Sequence, residues 1–130
     1  MPDTDDWTDD ELNGLATEDE IRVSSIRRDG TARKPVTMWM VTDGGQVYVR
    51  SVRGTEGTWY RHVRETDRAY VTARALNADV NVEDASTDVA LTNRLDTAYR
   101  TKYQRYAQRI VDSVLAPAAK ASTLRLTPRG

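Results

Sequence analysis

Between residues 20 and 54 apolar side chains recur at roughly every second position, and glycine-bearing turns interrupt them twice. In residues 20–28, Ile21, Val23 and Ile26 stand among Arg22, Arg27 and Arg28, an imperfect alternation that predicts a first strand. Asp29-Gly30 then supplies a turn in which glycine accepts positive φ without a Cβ clash. Residues 36–42 predict a second strand, entered through Pro35, whose missing N–H suits a strand start. Val36, Met38, Met40 and Thr42 fall on one face, Thr37, Trp39 and Val41 on the other. Two largely apolar faces predict a central or interface-facing strand. Asp43-Gly44-Gly45 turns the chain into a third strand, and the three make an antiparallel meander.

The rest of the pattern adds helices and short strands. Residues 46–60 read as strand, glycine-bearing loop and helical turn, with the short helix over 57–65. Residues 68–74 and 79–83 predict a fourth and fifth strand, and residues 123–127 a closing one that alternates Leu124 and Leu126 with polar neighbours. Over residues 88–116, Leu91, Leu95, Ala98, Tyr106, Ile110 and Val114 recur at helical steps, predicting one long amphipathic helix. Asp96-Thr97 is a possible division of it, and Pro117 ends it. Near the N-terminus Thr8 and Glu11 have capping-box spacing, while Trp7 and Leu12 have that of a hydrophobic staple. The expected class is α+β: a small, mostly antiparallel barrel of about six strands with a long C-terminal helix packed against it. Residues 1–17 form an acidic segment with a short helix, and residues 18–130 one domain.

Composition narrows the functional classes. The chain has 130 residues, 38% of them hydrophobic, and no phenylalanine, so three Trp, six Tyr and the aliphatics must carry the packing. With 19 basic and 20 acidic residues the net charge is −1, which argues against a nucleic-acid binder. The acids concentrate in the first twenty residues, leaving the remainder net basic and able to form a local positive pocket. Absent cysteine excludes disulfides and thiolate metal sites, a single histidine excludes the common zinc arrangements, and no metal is expected. The N-terminus has no apolar run to serve as a signal peptide, and no stretch has membrane-spanning length. A soluble cytoplasmic protein is the expectation, with no membrane partner.

No nucleotide-binding, zinc-protease or hydrolase-elbow motif occurs, and His62 reads as a surface or cap residue. Three clusters carry candidate chemistry. At the end of the third strand, Arg50, Ser51, Arg53 and Gly54 crowd donors and backbone freedom together, followed by Gly57 and the ring of Trp59. Forked guanidinium donors, backbone N–H groups and a flat aromatic face suit an anionic, partly planar ligand. The plainer reading is an arginine-rich sheet edge with a buried tryptophan. Arg33 and Lys34 form either an extra phosphate clamp or a solvated hairpin tip. Tyr99 and Tyr103, four apart on one helix face, either pack on the sheet or line a planar ligand.

Several words of the sequence point further: RRDGTARKPVTMW (residues 27–39), VYVRSVRG (47–54) with Trp59-Tyr60-Arg61, LDTAYRTKY (95–103) and STLRLTPR (122–129). Together they resemble a family of unknown function grouped with the flavin-binding split-barrel proteins, which include pyridoxamine-phosphate oxidases and deazaflavin-dependent reductases. The resemblance spans about residues 21–129. It implies a split β-barrel, a homodimer with ligand clefts at the subunit interface, and FMN or a deazaflavin as cofactor. On this resemblance Arg50, Ser51, Arg53 and Gly54 sit on the phosphate side and Trp59 beside or behind the ring system. Deazaflavin-dependent relatives continue their tryptophan-bearing helix with Asn-Leu; here it reads Trp59-Tyr60-Arg61-His62-Val63.

Two functions follow as expectations. One is a flavin- or deazaflavin-binding oxidoreductase-like protein, in which the flavin does the redox work and the protein binds and orients it. The other is a non-catalytic binding or assembly module that uses the same cleft for a different small anionic ligand.

Overall fold

The second predicted strand bends at Trp39 and becomes two, and that bend closes the sheet. The computed structural model describes residues 6–74 and 76–129. The strands are β1 (Ile21–Ser25), β2 (Val36–Met38), β3 (Met40–Asp43), β4 (Gln46–Val49), β5 (Arg68–Ala73), β6 (Leu76–Asp84) and β7 (Leu124–Pro128). They form one antiparallel sheet in the order β2-β1-β5-β6-β7-β4-β3. Its two ends, β2 and β3, are joined through the single residue Trp39, so the barrel is nearly closed. β2 pairs with β1, Ile21 opposite Met38, and β3 pairs with β4, Met40 opposite Val49. The expected meander is present, and one bent strand accounts for the seventh element.

The period of two explains how the core divides. Met40, Val47 and Val49 point into the barrel with Val23, Val71, Val80, Val82, Leu124 and Leu126. Val41 and Tyr48, one residue out of phase, point outward into a second cluster with Leu91, Leu95, Tyr99, Tyr103, Val111 and Val114. The covered outer face accounts for the apolar residues on both sides of β3, whereas in β2 Val36 and Thr37 stay exposed.

Helices close the ends and cover that face. α1 (Asp9–Thr17) starts with a complete capping box: Thr8 Oγ1 accepts from the Glu11 N–H at 3.1 Å, and Glu11 Oε1 accepts from the Thr8 N–H at 2.9 Å. Trp7 is buried against the barrel interior, and its Nε1 donates to the Leu126 carbonyl at 2.9 Å. A 3-10 turn (Gly54–Glu56) precedes α2 (Thr58–Arg64).

The single helix expected over residues 88–116 is two: α3 (Val89–Lys102) and α4 (Gln108–Leu115). The break lies after Tyr103, at φ −110° and ψ 21°, and not at Asp96-Thr97. Asp96 stays inside α3 because its carboxylate is buried between two cations, so it has no need to cap a terminus. Pro117 does not simply end the helical run; it is the first residue of α5 (Pro117–Ala121), where a missing N–H costs nothing. Among the described residues no helix is long and apolar enough to cross a membrane.

Candidate functional site

The corner after β4 begins with a buried arginine. Arg50 continues the alternation of β4, and its side chain is fully enclosed. Its Nε donates to Thr123 Oγ1 at 3.0 Å, and its Nη1 to Asp96 Oδ1 at 2.7 Å and the Val114 carbonyl at 2.9 Å. Its Nη2 donates to the Thr92 carbonyl at 3.1 Å. The guanidinium also lies over the Tyr99 ring, 5.2 Å from its centroid. On the other oxygen of Asp96 sits Lys120 Nζ, at 2.9 Å. Burial alone would raise the Asp96 pKa, but hydrogen bonds from Arg50 and Lys120 outweigh it and hold the carboxyl below its ordinary range.

After Ser51, which is buried, the side chains of Val52 and Arg53 are exposed. The Ser51 N–H donates to Ser122 Oγ at 2.8 Å, which fixes the corner to the end of the Pro117–Ala121 helix, two residues before β7. Gly54 has φ +72°, and a Cβ there would stand 2.9 Å from the Ala118 carbonyl oxygen. Its glycine lets the 3-10 turn seat against α5. At Gly57, the residue before α2, a Cβ would stand 2.9 Å from Ser51 Oγ and 3.0 Å from Arg53 Cβ, so a larger residue there would have to displace the corner's side chains.

These elements wall one cleft of about 530 Å³. The strand bend contributes Val36, Met38 and Trp39, and the corner contributes Ser51, Val52 and Arg53. Glu20, together with Thr58 and Trp59 of α2 and with Ile110, Ser113 and Val114 of α4, also lines it. The last three stand at i, i+3 and i+4, so one face of α4 forms a wall. Arg53 is exposed in the cleft, and Trp59 is half-buried. The Trp59 Nε1 is buried and has no hydrogen-bond partner among the described residues. Two indoles, a thioether and aliphatic side chains beside one exposed guanidinium are a donor set for a flat apolar body with an anionic end. Among the described residues, no group of three His, Cys, Asp or Glu side chains is placed to hold a metal.

Of the residues singled out in the sequence, Ser51, Arg53 and Trp59 share this cleft, and Arg50 borders it with its guanidinium turned inward. Gly54 packs on α5 instead. Arg33 lies elsewhere, ion-paired with Glu65 at 2.7 Å and donating to Ser25 Oγ at 3.3 Å; Lys34 is exposed on the same hairpin and outside the cleft lining.

Tyr99 and Tyr103 are enclosed in the outer core. Burial pushes both phenols well above their ordinary pKa. The Tyr103 hydroxyl donates to the Asp19 carbonyl at 2.7 Å and accepts from the Met40 N–H at 3.1 Å. Reading by sequence missed Glu20, Val52 and Thr58, the whole strand bend around Trp39, and the α4 wall of Ile110, Ser113 and Val114. Only the helical spacing of Ile110, Ser113 and Val114 carried a signal for them, and it matches a core stripe equally well.

Residues 11–126 match the family described as "Uncharacterized protein conserved in bacteria (DUF2255)", and the chain belongs to it. No curated protein matches the chain in sequence. Among solved structures, HutZ, the heme storage protein from Vibrio cholerae, aligns with a TM-score of 0.62 at 10% identity, over 94% of this chain and 90% of its own. A putative pyridoxamine 5'-phosphate oxidase from Listeria innocua aligns at 0.58 with 16% identity, over 93% and 90%. An FAD-binding protein from Mesorhizobium loti aligns at 0.56 with 14% identity, over 94% and 88%. Likeness at these identities is likeness of fold, and it agrees with the split barrel that the sequence resemblance implied.

Proposed function

We propose that this member of the DUF2255 family is a flavin-binding protein of oxidoreductase type, holding FMN or a deazaflavin in the cleft between the Trp39 bend, the Ser51–Arg53 corner and α4. The observation that carries the reading is the pairing of flat and apolar walls (Trp39, Trp59, Met38, Ile110) with one exposed guanidinium, Arg53. A tricyclic ring fits the first, and a phosphate or carboxylate end fits the second. Ser51 and Thr58 add hydroxyls at the same end. The fit does not extend to Arg50, whose three nitrogens all bond within the protein. The flavin, when bound, supplies the electron transfer. The chain binds it, orients it and keeps water from its face.

The solved structures of like fold include a heme storage protein as well as an FAD-binding one. Among the described residues lining the cleft, the Met38 thioether and the Glu20 carboxylate are the side chains able to ligate iron, with no histidine, cysteine or tyrosine beside them, and one free arginine is sparse for two propionates. The flavin reading is favoured on that chemistry.

Val36, Val52 and Ile110 are three of the four large hydrophobic residues exposed among the described residues, at 40%, 57% and 42%, and all three line the cleft. A second copy of the chain covering that rim accounts for them. A cytoplasmic setting accords with a chain free of cysteine.

The second reading, a non-catalytic module for another small anion, draws on one observation. Among the described lining residues the titratable side chains are Glu20, Arg50 and Arg53, with no evident proton-transfer pair. Binding titrations separate the two. FMN should bind about tenfold or more tightly than riboflavin, which lacks the phosphate, and Arg53→Glu should erase the difference. Equal binding of both would remove Arg53 from the phosphate. Failure of every flavin would remove the flavin itself.

A further inference from the structure

We infer that Arg50 is a positioning residue for the cleft: it fixes the α4 wall from behind and so sets the width available to a ligand. The inference deepens the reading above and rests on it only where a ligand is concerned. Arg50 stands where a rigid fork reaches α3, α4 and Thr123, the residue before β7, together. From there it holds the Thr92 carbonyl and Asp96 Oδ1 of α3, the Val114 carbonyl of α4, and Thr123 Oγ1.

Val114 matters most among these. Its side chain and those of Ile110 and Ser113 are the α4 wall, and its carbonyl lies in the last turn of the helix, where no later helical N–H is available to it. Arg50 is thus the partner that ties this end of α4 to the β4 corner. The corner itself carries Ser51 and Arg53, which line the same cleft. One guanidinium therefore couples two cleft walls through a bond whose acceptor is backbone. Asp96, clamped also by Lys120 at 2.9 Å, keeps the fork from turning. A lysine at position 50 keeps the charge but cannot reach four acceptors spread over three elements.

The test uses the unliganded full chain. Amide hydrogen exchange is compared between wild type and Arg50→Lys, with acrylamide quenching of tryptophan fluorescence alongside. Expected are exchange about tenfold or more faster through Ile110–Leu115 and stronger quenching, while amides in β5 and β6 keep their wild-type ratio to one another and to global stability. Exchange that rises uniformly over α4, β5 and β6, or that does not rise in α4, would overturn the inference. Where Arg50→Lys does not fold, Asp96→Asn carries the same comparison, with the same selective increase expected and the same two contrary outcomes. A ligand arm separates this from the flavin reading. If wild type binds FMN, Arg50→Lys should weaken that binding about tenfold in the folded protein. If wild type does not bind FMN, the exchange result still decides the role of Arg50.

Discussion

The indole of Trp39 lies flat on the phenol of Tyr103, with centroids 3.9 Å apart and planes 3° from parallel. This contact joins the bend that closes the barrel to the end of the helix that covers its outer face. Tyr103 adds polar anchors, accepting from the Met40 N–H at 3.1 Å and donating to the Asp19 carbonyl at 2.7 Å. Trp39→Ala should destabilise the fold by about 2–3 kcal/mol, below the full cost of a buried tryptophan because Trp39 is half-exposed. Tyr103→Phe should keep the stack and cost about 1–2 kcal/mol for the unpaired Met40 N–H. Denaturant midpoints measure both, and a larger loss for the phenylalanine than for the alanine would contradict this assignment.

Gly54 and Gly14 should respond in opposite directions to alanine. At Gly54 the backbone has φ +72° and a Cβ would meet the Ala118 carbonyl oxygen at 2.9 Å, so Gly54→Ala should cost about 2 kcal/mol or more. Gly14 lies inside α1 with nothing within 4 Å of an added Cβ. Gly14→Ala should stabilise by about 0.5–1 kcal/mol through helix propensity. Thermal unfolding of the two variants reads the contrast directly.

The parts of the fold legible in sequence are those whose signals are local. Thr8 and Glu11 are three residues apart, and their capping box is complete. Asp29-Gly30 and Gly44-Gly45 mark turns that need positive φ, and Gly30, Gly44 and Gly45 have it. What stayed hidden depends on pairings far apart in the chain. Arg50 reads as an outward donor until Asp96, 46 residues away, is placed against it. The break after Tyr103 is equally invisible, because the helical period continues through Tyr106 and Ile110 while the ring of Tyr103 is held by Trp39 and Asp19. The cleft was half legible for the same reason: the Ser51–Arg53 corner is one continuous stretch, and another wall comes from α4, far on in the chain.

Lys102 should give stability a distinct dependence on pH. Its amine donates to the carbonyls of Met40 at 2.9 Å and Leu15 at 3.3 Å, and burial lowers its pKa from 10.5 to about 8, with nearby Glu18 opposing the shift. Between those values the unfolded chain holds a proton that the folded chain has released, so stability rises with pH across the window. Tyr99 and Tyr103 work the other way. Their raised folded pKa means that their contribution begins to be lost above the unfolded value of 10.0. Wild type minus Lys102→Met isolates the lysine. The difference in urea midpoint should grow in favour of wild type from about pH 8 toward 10.5, and a flat difference would contradict it.

The exposed rim should govern association. Val52→Glu and Ile110→Glu each place a charge where a second copy would sit, on side chains 57% and 42% exposed in the single chain. Light scattering should find wild type dimeric and either variant monomeric, with unchanged secondary structure by circular dichroism. A monomeric wild type at the same concentration would contradict the covering copy.

The claim that this cleft holds a flavin-type ligand is tested most directly by the visible absorption spectrum of the protein, followed through titration with FMN and a deazaflavin. Expected is a perturbed flavin band, with quenching of tryptophan fluorescence that saturates with ligand and weakens in Arg53→Glu. An unperturbed spectrum with both cofactors, at concentrations well above micromolar, would contradict it.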